Sequence, residues 1–135
     1  MANKILSHRD LIVWQKAVDF ADSLYEMTES FPKHELYGLT SQLRRAGVSV
    51  PSNITEGNGR GTTQDYIRFL FHSYGSLMEV DTQVHLATRR SYITVNDEDR
   101  AIEQLSEFGR MLNGLIASLE RRKASRESNN KRGAK

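Results

Sequence analysis

"SVPSNITEGNGRGTTQDY", Ser49 to Tyr66, decides the fold, because Pro51 either breaks a helix or sits inside one. An apolar stripe approaches it at helical spacing through Leu36, Leu39, Leu43, Ala46 and Gly47, and continues in phase through Val50 and Ile54. A proline inside a helix removes one hydrogen bond and presses its ring toward the carbonyl four residues back, here that of Gly47, at about 3 kcal/mol or more. The preserved phase favours a kinked helix in which Ser49 and Ser52 relieve the freed backbone groups. A loop at 48–52 is the alternative. Downstream, Gly57 or Gly59 suits the left-handed end of that helix, and Thr62 with Asp65 has the form of a capping box opening the next. "GNGRG" at Gly57 to Gly61 lacks the Lys-Ser/Thr of a phosphate loop and the GxGxxG spacing, so it reads as a turn.

Working outward, the stretch before Pro32 carries Leu11, Trp14, Val18, Ala21, Leu24, Tyr25, Thr28 and Phe31 as one stripe of a first helix. Pro32 ends it, because the residue before a proline is driven from the α region. The third helix runs from Thr63 to about Arg90 on Tyr66, Phe69, Leu70, Ser73, Leu77, Val80, Val84 and Ala87. Gly75 in its middle suggests close approach of a neighbouring helix. Acidic Asp97, Glu98 and Asp99 open the fourth helix, which ends in Arg121, Arg122 and Lys123, both as the helix dipole prefers. Four amphipathic helices on short links predict an all-α, up-down-up-down antiparallel four-helix bundle over residues 1–123.

A chain of 135 residues has room for one core, and without cysteine it has no disulfide scaffold, thiolate metal site or cysteine nucleophile. No segment approaches the roughly 20 apolar residues of a membrane span, and "MANKILSHRDLIVWQKAVDF" meets Arg9, Asp10, Lys16 and Asp19 before a hydrophobic region of leader length forms. The expectation is a cytoplasmic protein with no membrane partner, in which the Asn53-Ile-Thr55 sequon carries no glycan. Of 19 Lys and Arg against 17 Asp and Glu, residues 124–135 hold four and one, leaving 15 against 16 and a net charge of −1 for the remainder. The basicity therefore belongs to a tail, "ASRESNNKRGAK", whose composition predicts disorder. Its cations are either a solubilising end or phosphate contacts; in the second case Arg121, Arg122, Lys123, Arg126, Lys131 and Arg132 form the nucleic-acid-binding set.

No arrangement for catalysis emerges. The chain has no Glu-x-x-His for a carboxylate-bridged metal pair and no nucleophile elbow, so no enzyme, metal or cofactor is expected. Asp81 and His85, four apart, could share a metal with Glu56, but read better as surface neighbours. Arg44, Arg45, Asn53, Glu56, Ser76 and Glu79 flank the expected core and are read as a structural polar network, in which Glu56 or Glu79 meets Arg44 or Arg45. A polar pocket or a subunit contact is the sharper reading of the same set.

Five segments together resemble the bacterial four-helix-bundle proteins also called the 23S rRNA intervening-sequence protein family. They are Trp14 to Ala17, Phe31 to Glu35, Gln42 to Ala46, Ser49 to Gly57 and Gly75 to Glu79, and the likeness extends over about residues 11–120. The resemblance implies a protomer whose second helix passes through Pro51 and a homo-oligomer, a pentameric ring. Some members are encoded inside insertions in ribosomal RNA genes, and a similar pentamer in diversity-generating retroelements is a basic, nucleic-acid-binding partner of a reverse transcriptase. RNA or a nucleic-acid-processing protein is thus the implied partner of a non-enzymatic scaffold or binding module. A structural or protein-partner module without nucleic acid is the competing reading.

Overall fold

The computed structural model describes residues 11–133; the start of the leader reading, "MANKILSHRD", and the last two tail residues lie outside them. Among the described residues there are four α-helices and no strand: α1 (Ile12–Thr28), α2 (Leu39–Asn58), α3 (Thr63–Arg89) and α4 (Val95–Gly133), with a 3-10 turn at Lys33–Glu35. All four helices contribute to a single hydrophobic core. The α2–α3 contact is the most extensive and α1–α4 the least.

In α1 the buried ridge is Val13, Ala17, Phe20, Ala21, Leu24 and Thr28. The ridge is rotated from the expected stripe, leaving Val18 and Tyr25 exposed. The helix also stops at Thr28, three residues before Phe31, whose backbone N–H turns back to the Thr28 carbonyl. α2 runs unbroken through Pro51, so the loop alternative at 48–52 is not what forms. Ser49 does not take up the relieving role expected of it but bonds across to Ser76, while beside the proline Ser73 of α3 donates its hydroxyl to the Val50 carbonyl at 2.8 Å. Glycine lets α2 approach both neighbours closely, α1 at Gly47 and α3 at Gly57. A Cβ on Gly47 would lie 2.7 Å from Leu24 Cδ1, and one on Gly57 2.8 Å from Phe69 Cβ.

The turn between α2 and α3 places its left-handed residue later than expected. Gly59 is right-handed and Gly61 takes φ +90°. Thr62 then caps α3 by accepting the Asp65 backbone N–H at 3.2 Å. α4 opens on a reciprocal box: the Thr94 N–H donates to Asp97 Oδ2 at 3.0 Å and the Asp97 N–H to Thr94 Oγ1 at 3.1 Å. The Thr94 N–H, and after it the Arg100 guanidinium, hold the Asp97 carboxyl below its ordinary pKa.

The main departure is at the other end of α4. The helix was expected to stop near Lys123 and give way to a disordered tail, yet it continues to Gly133. Residues 124–132 contain neither proline nor glycine, and adding a residue to an existing helix avoids the cost of nucleation. From Ala124 onward every described residue is exposed. Arg126 still reaches Thr63 at the start of α3, so α4 projects past its neighbour only from about Glu127 to Gly133, about 10 Å at 1.5 Å per residue.

Candidate functional site

Four exposed apolar residues gather where α1, the 3-10 turn and the first half of α2 meet. There Tyr25, Leu36, Tyr37 and Val48 are 43, 49, 93 and 41 % exposed. They border a groove of about 580 Å³ that also includes Thr40, Ser41, Arg44, Arg45, Ser49 and Ser52. Arg44 is fixed in its wall, because Nε donates to Thr28 Oγ1 at 2.8 Å and the guanidinium stacks 4.7 Å from the Tyr25 ring centroid. Thr28 in turn donates to the Leu24 carbonyl at 2.8 Å. Arg45, one residue on, is exposed and makes no ion pair among the described residues.

The rim of the groove is held by Glu35. Its Oε1 accepts the Leu39 N–H at 3.0 Å, supplying a cap at the start of α2, and its Oε2 accepts the Tyr92 hydroxyl at 2.7 Å. One carboxylate thus ties the 3-10 turn to α2 and to the α3–α4 connection. Both bonds favour the charged form, so the Glu35 pKa is lowered, mainly by the Leu39 N–H and then by Tyr92. Tyr92 also stacks against Phe31, ring centroids 5.3 Å apart. Glu35 was recognised in the sequence only within the Phe31–Glu35 pattern; its spacing of four before Leu39 was the available signal for a cap.

Of the six residues expected to form a polar network, the structure joins two, Asn53 and Ser76, and it does so through Ser49, which was not among the six. Ser49 and Ser76 share a hydrogen bond of 2.8 Å, and Asn53 Nδ2 donates to the Ser49 carbonyl at 2.8 Å and to its hydroxyl at 2.9 Å. The expected pairing of Glu56 or Glu79 with Arg44 or Arg45 does not form. Glu56 pairs with Arg60 one turn on, at 3.0 Å, and both side chains are about half exposed. Glu79 is exposed and has no ion pair among the described residues. Neither carboxylate is buried, so neither needs a buried cation. The considered Asp81–His85–Glu56 grouping also separates: His85 Nδ1 lies 2.8 Å from Glu98 Oε2, and Glu56 is engaged by Arg60. Among the described residues no three His, Asp or Glu gather as metal ligands.

The six basic residues of the expected nucleic-acid set all lie on the distal part of α4. At 100° per residue Arg121, Arg122, Arg126 and Arg132 fall within an arc of about 140°, while Lys123 and Lys131 lie opposite beside Glu120 and Glu127. Arg126 reaches α3, donating to Thr63 Oγ1 at 3.4 Å. Nearby, beside the α2–α3 turn, Arg60 and Arg68 both lie over the Phe69 ring, at 4.8 and 5.0 Å from its centroid.

An all-α helical protein with an open groove on one flank and a basic helical overhang is what these features define. The chain belongs to the 23S rRNA-intervening sequence protein family, whose pattern matches residues 9–114. The match ends before the six basic residues of distal α4, Arg121 to Arg132. A solved structure, a protein with unknown function from the S23 ribosomal protein family of Bacteroides thetaiotaomicron, shares the fold at 21% identity. It covers 78% of this chain and 96% of that one with a TM-score of 0.73. No curated protein matches the sequence. No helix among the described residues is long and apolar enough to cross a membrane.

Proposed function

We propose that this protein is a non-enzymatic homo-oligomeric scaffold: a cytoplasmic, up-down-up-down four-helix protomer that assembles as a ring of five. The observation that carries the reading is the groove, where Tyr25, Leu36, Tyr37 and Val48 stand in water beside a stacked arginine. Aromatic residues and arginine are enriched at protein interfaces, and a contiguous exposed apolar patch marks a surface that another protein covers. Contacts that pair rising with falling residue numbers support the topology: Leu24 with Gly47, Val50 with Ser73, and His85 with Glu98. The number five comes from the family resemblance. Native mass spectrometry of the full chain tests the reading, with about five times the 15.4 kDa chain mass expected; a monomer at micromolar concentration overturns it.

A second reading, contact with RNA, is favoured by the arc of exposed arginines on distal α4, Arg121, Arg122, Arg126 and Arg132. Such contacts bind phosphates and position a partner without reading its bases, so weak sequence preference and steep salt dependence are expected. The test titrates a structured RNA across salt with the full chain and with a chain ending at Ala124. Loss of Arg126, Lys131 and Arg132 lowers the salt slope by about one per phosphate contact removed. Equal binding by both chains removes the overhang from this reading, and binding by neither removes RNA altogether.

A further inference from the structure

We infer that the outer face of α3 is the surface that fills the α1–α2 groove of a neighbouring copy, with Glu79 of one chain meeting Arg45 of the next. This rests on the oligomeric reading above and adds to it which two surfaces meet. The first observation is a stripe on α3 that the protomer leaves uncovered. Phe71, Met78 and Leu86 are 53, 37 and 47 % exposed and fall within a sector of about 80° on the side away from the core.

Gly75 lies inside that stripe, and its setting differs from those of Gly47 and Gly57. A Cβ at Gly75 would meet nothing within 4 Å. Glycine in a helix interior is less stable than alanine, and no contact within the chain requires it here. A bare backbone between Phe71 and Met78 makes a notch through which another chain can approach closely. The expectation that Gly75 accommodates a neighbouring helix is therefore transferred from the protomer to a second copy.

Charge and shape give the pairing its direction. Arg45 at the groove and Glu79 beside Gly75 have no ion pair among the described residues. Covering either face strips water from a charge, which then needs an opposite charge from the covering surface. A second copy of this chain brings a carboxylate to the arginine and an arginine to the carboxylate. The groove is framed by α1 and α2 and the stripe by α3, so the two surfaces are different and the contact is head-to-tail. Repetition of such a contact closes a ring when the rotation allows.

Arg45 and Glu79 also border one hollow of about 290 Å³ on the α2–α3 seam of a single chain, so the test must separate pairing between chains from pairing within one. Full-length Arg45→Glu and Glu79→Arg are prepared singly and their assembly is measured by native mass spectrometry, with circular dichroism as the check on folding. Each single variant is expected to fall to monomer, while an equimolar mixture recovers species containing both chains. Singles that assemble like the unaltered chain, or a mixture that stays monomeric, overturn the pairing and leave the oligomeric reading standing. An unaltered chain that is itself monomeric overturns that reading instead. Gly75→Leu gives an independent measurement with opposite signs: thermal stability of the protomer equal or higher, and assembly lost. Retained assembly in Gly75→Leu overturns the assignment of this face.

Discussion

The α2–α3 pair and the overhang of α4 are both regular helix, yet different forces hold them. α2 carries a proline and two glycines, poor helix formers, and is secured by burial: Leu43, Val50 and Ile54 are fully buried, and Ser73 bonds to the backbone beside Pro51. The overhang has better intrinsic helix formers and buries nothing from Ala124 onward. Packing overrides propensity in the first region, and propagation from a packed helix sustains the second. Stability should therefore be concentrated in one region and almost absent from the other.

The largest effect that would break this contrast belongs to Leu43. Its side chain has no exposed surface and packs in the shared core. Leu43→Ala removes buried methyl groups and leaves a cavity, with an expected loss of about 2–5 kcal/mol in denaturant unfolding of the full chain. A loss below about 1 kcal/mol would show that the α2 inner face relaxes freely and that the contrast is overstated.

A smaller effect with a defined pH dependence belongs to Glu35, the carboxylate that fastens the rim of the groove. Its pKa is lowered in the folded chain, so its stabilisation is present above its ordinary value of 4.5 and is lost as pH falls through the lower folded value. Glu35→Gln should be less stable than the unaltered chain at pH 7. The difference should shrink as acidity increases below about pH 4.5. Thermal unfolding of both chains across that range checks it, and a difference independent of pH would mean that the charge on Glu35 contributes nothing to the latch.

What the sequence made legible follows the same division. Strong periodicity located the helices and carried α2 through Pro51, because apolar spacing survives a local backbone defect. Periodicity failed where both edges of a stripe are apolar: Val18 and Tyr25 were read as core, but Phe20 and Ala17 take that face, so the groove was not visible as a groove. The polar residues around Ser49 were recognised as a group, though not which would bond, since partner choice depends on helix register. Glu56 had a nearer cation at Arg60, and Ser76 lay opposite Ser49. The overhang was missed for a different reason. Composition reports what cannot form a core, and a segment continuing an existing helix needs no core of its own.

Asn129→Pro provides the smallest expected effect and the sharpest use of the comparison. Inside a packed helix a proline costs about 3 kcal/mol or more, because a hydrogen bond and its surrounding packing are lost together. At Asn129 the helix is exposed on all sides, so the break releases only the last residues of the overhang into water that satisfies their carbonyls. The unfolding free energy should stay within about 0.5 kcal/mol of the unaltered chain while helical circular dichroism falls slightly. A larger loss of stability in the assembled protein, absent from the monomer, would mean that another copy covers the overhang. In that case its cations would belong to the assembly rather than to a phosphate-bearing partner.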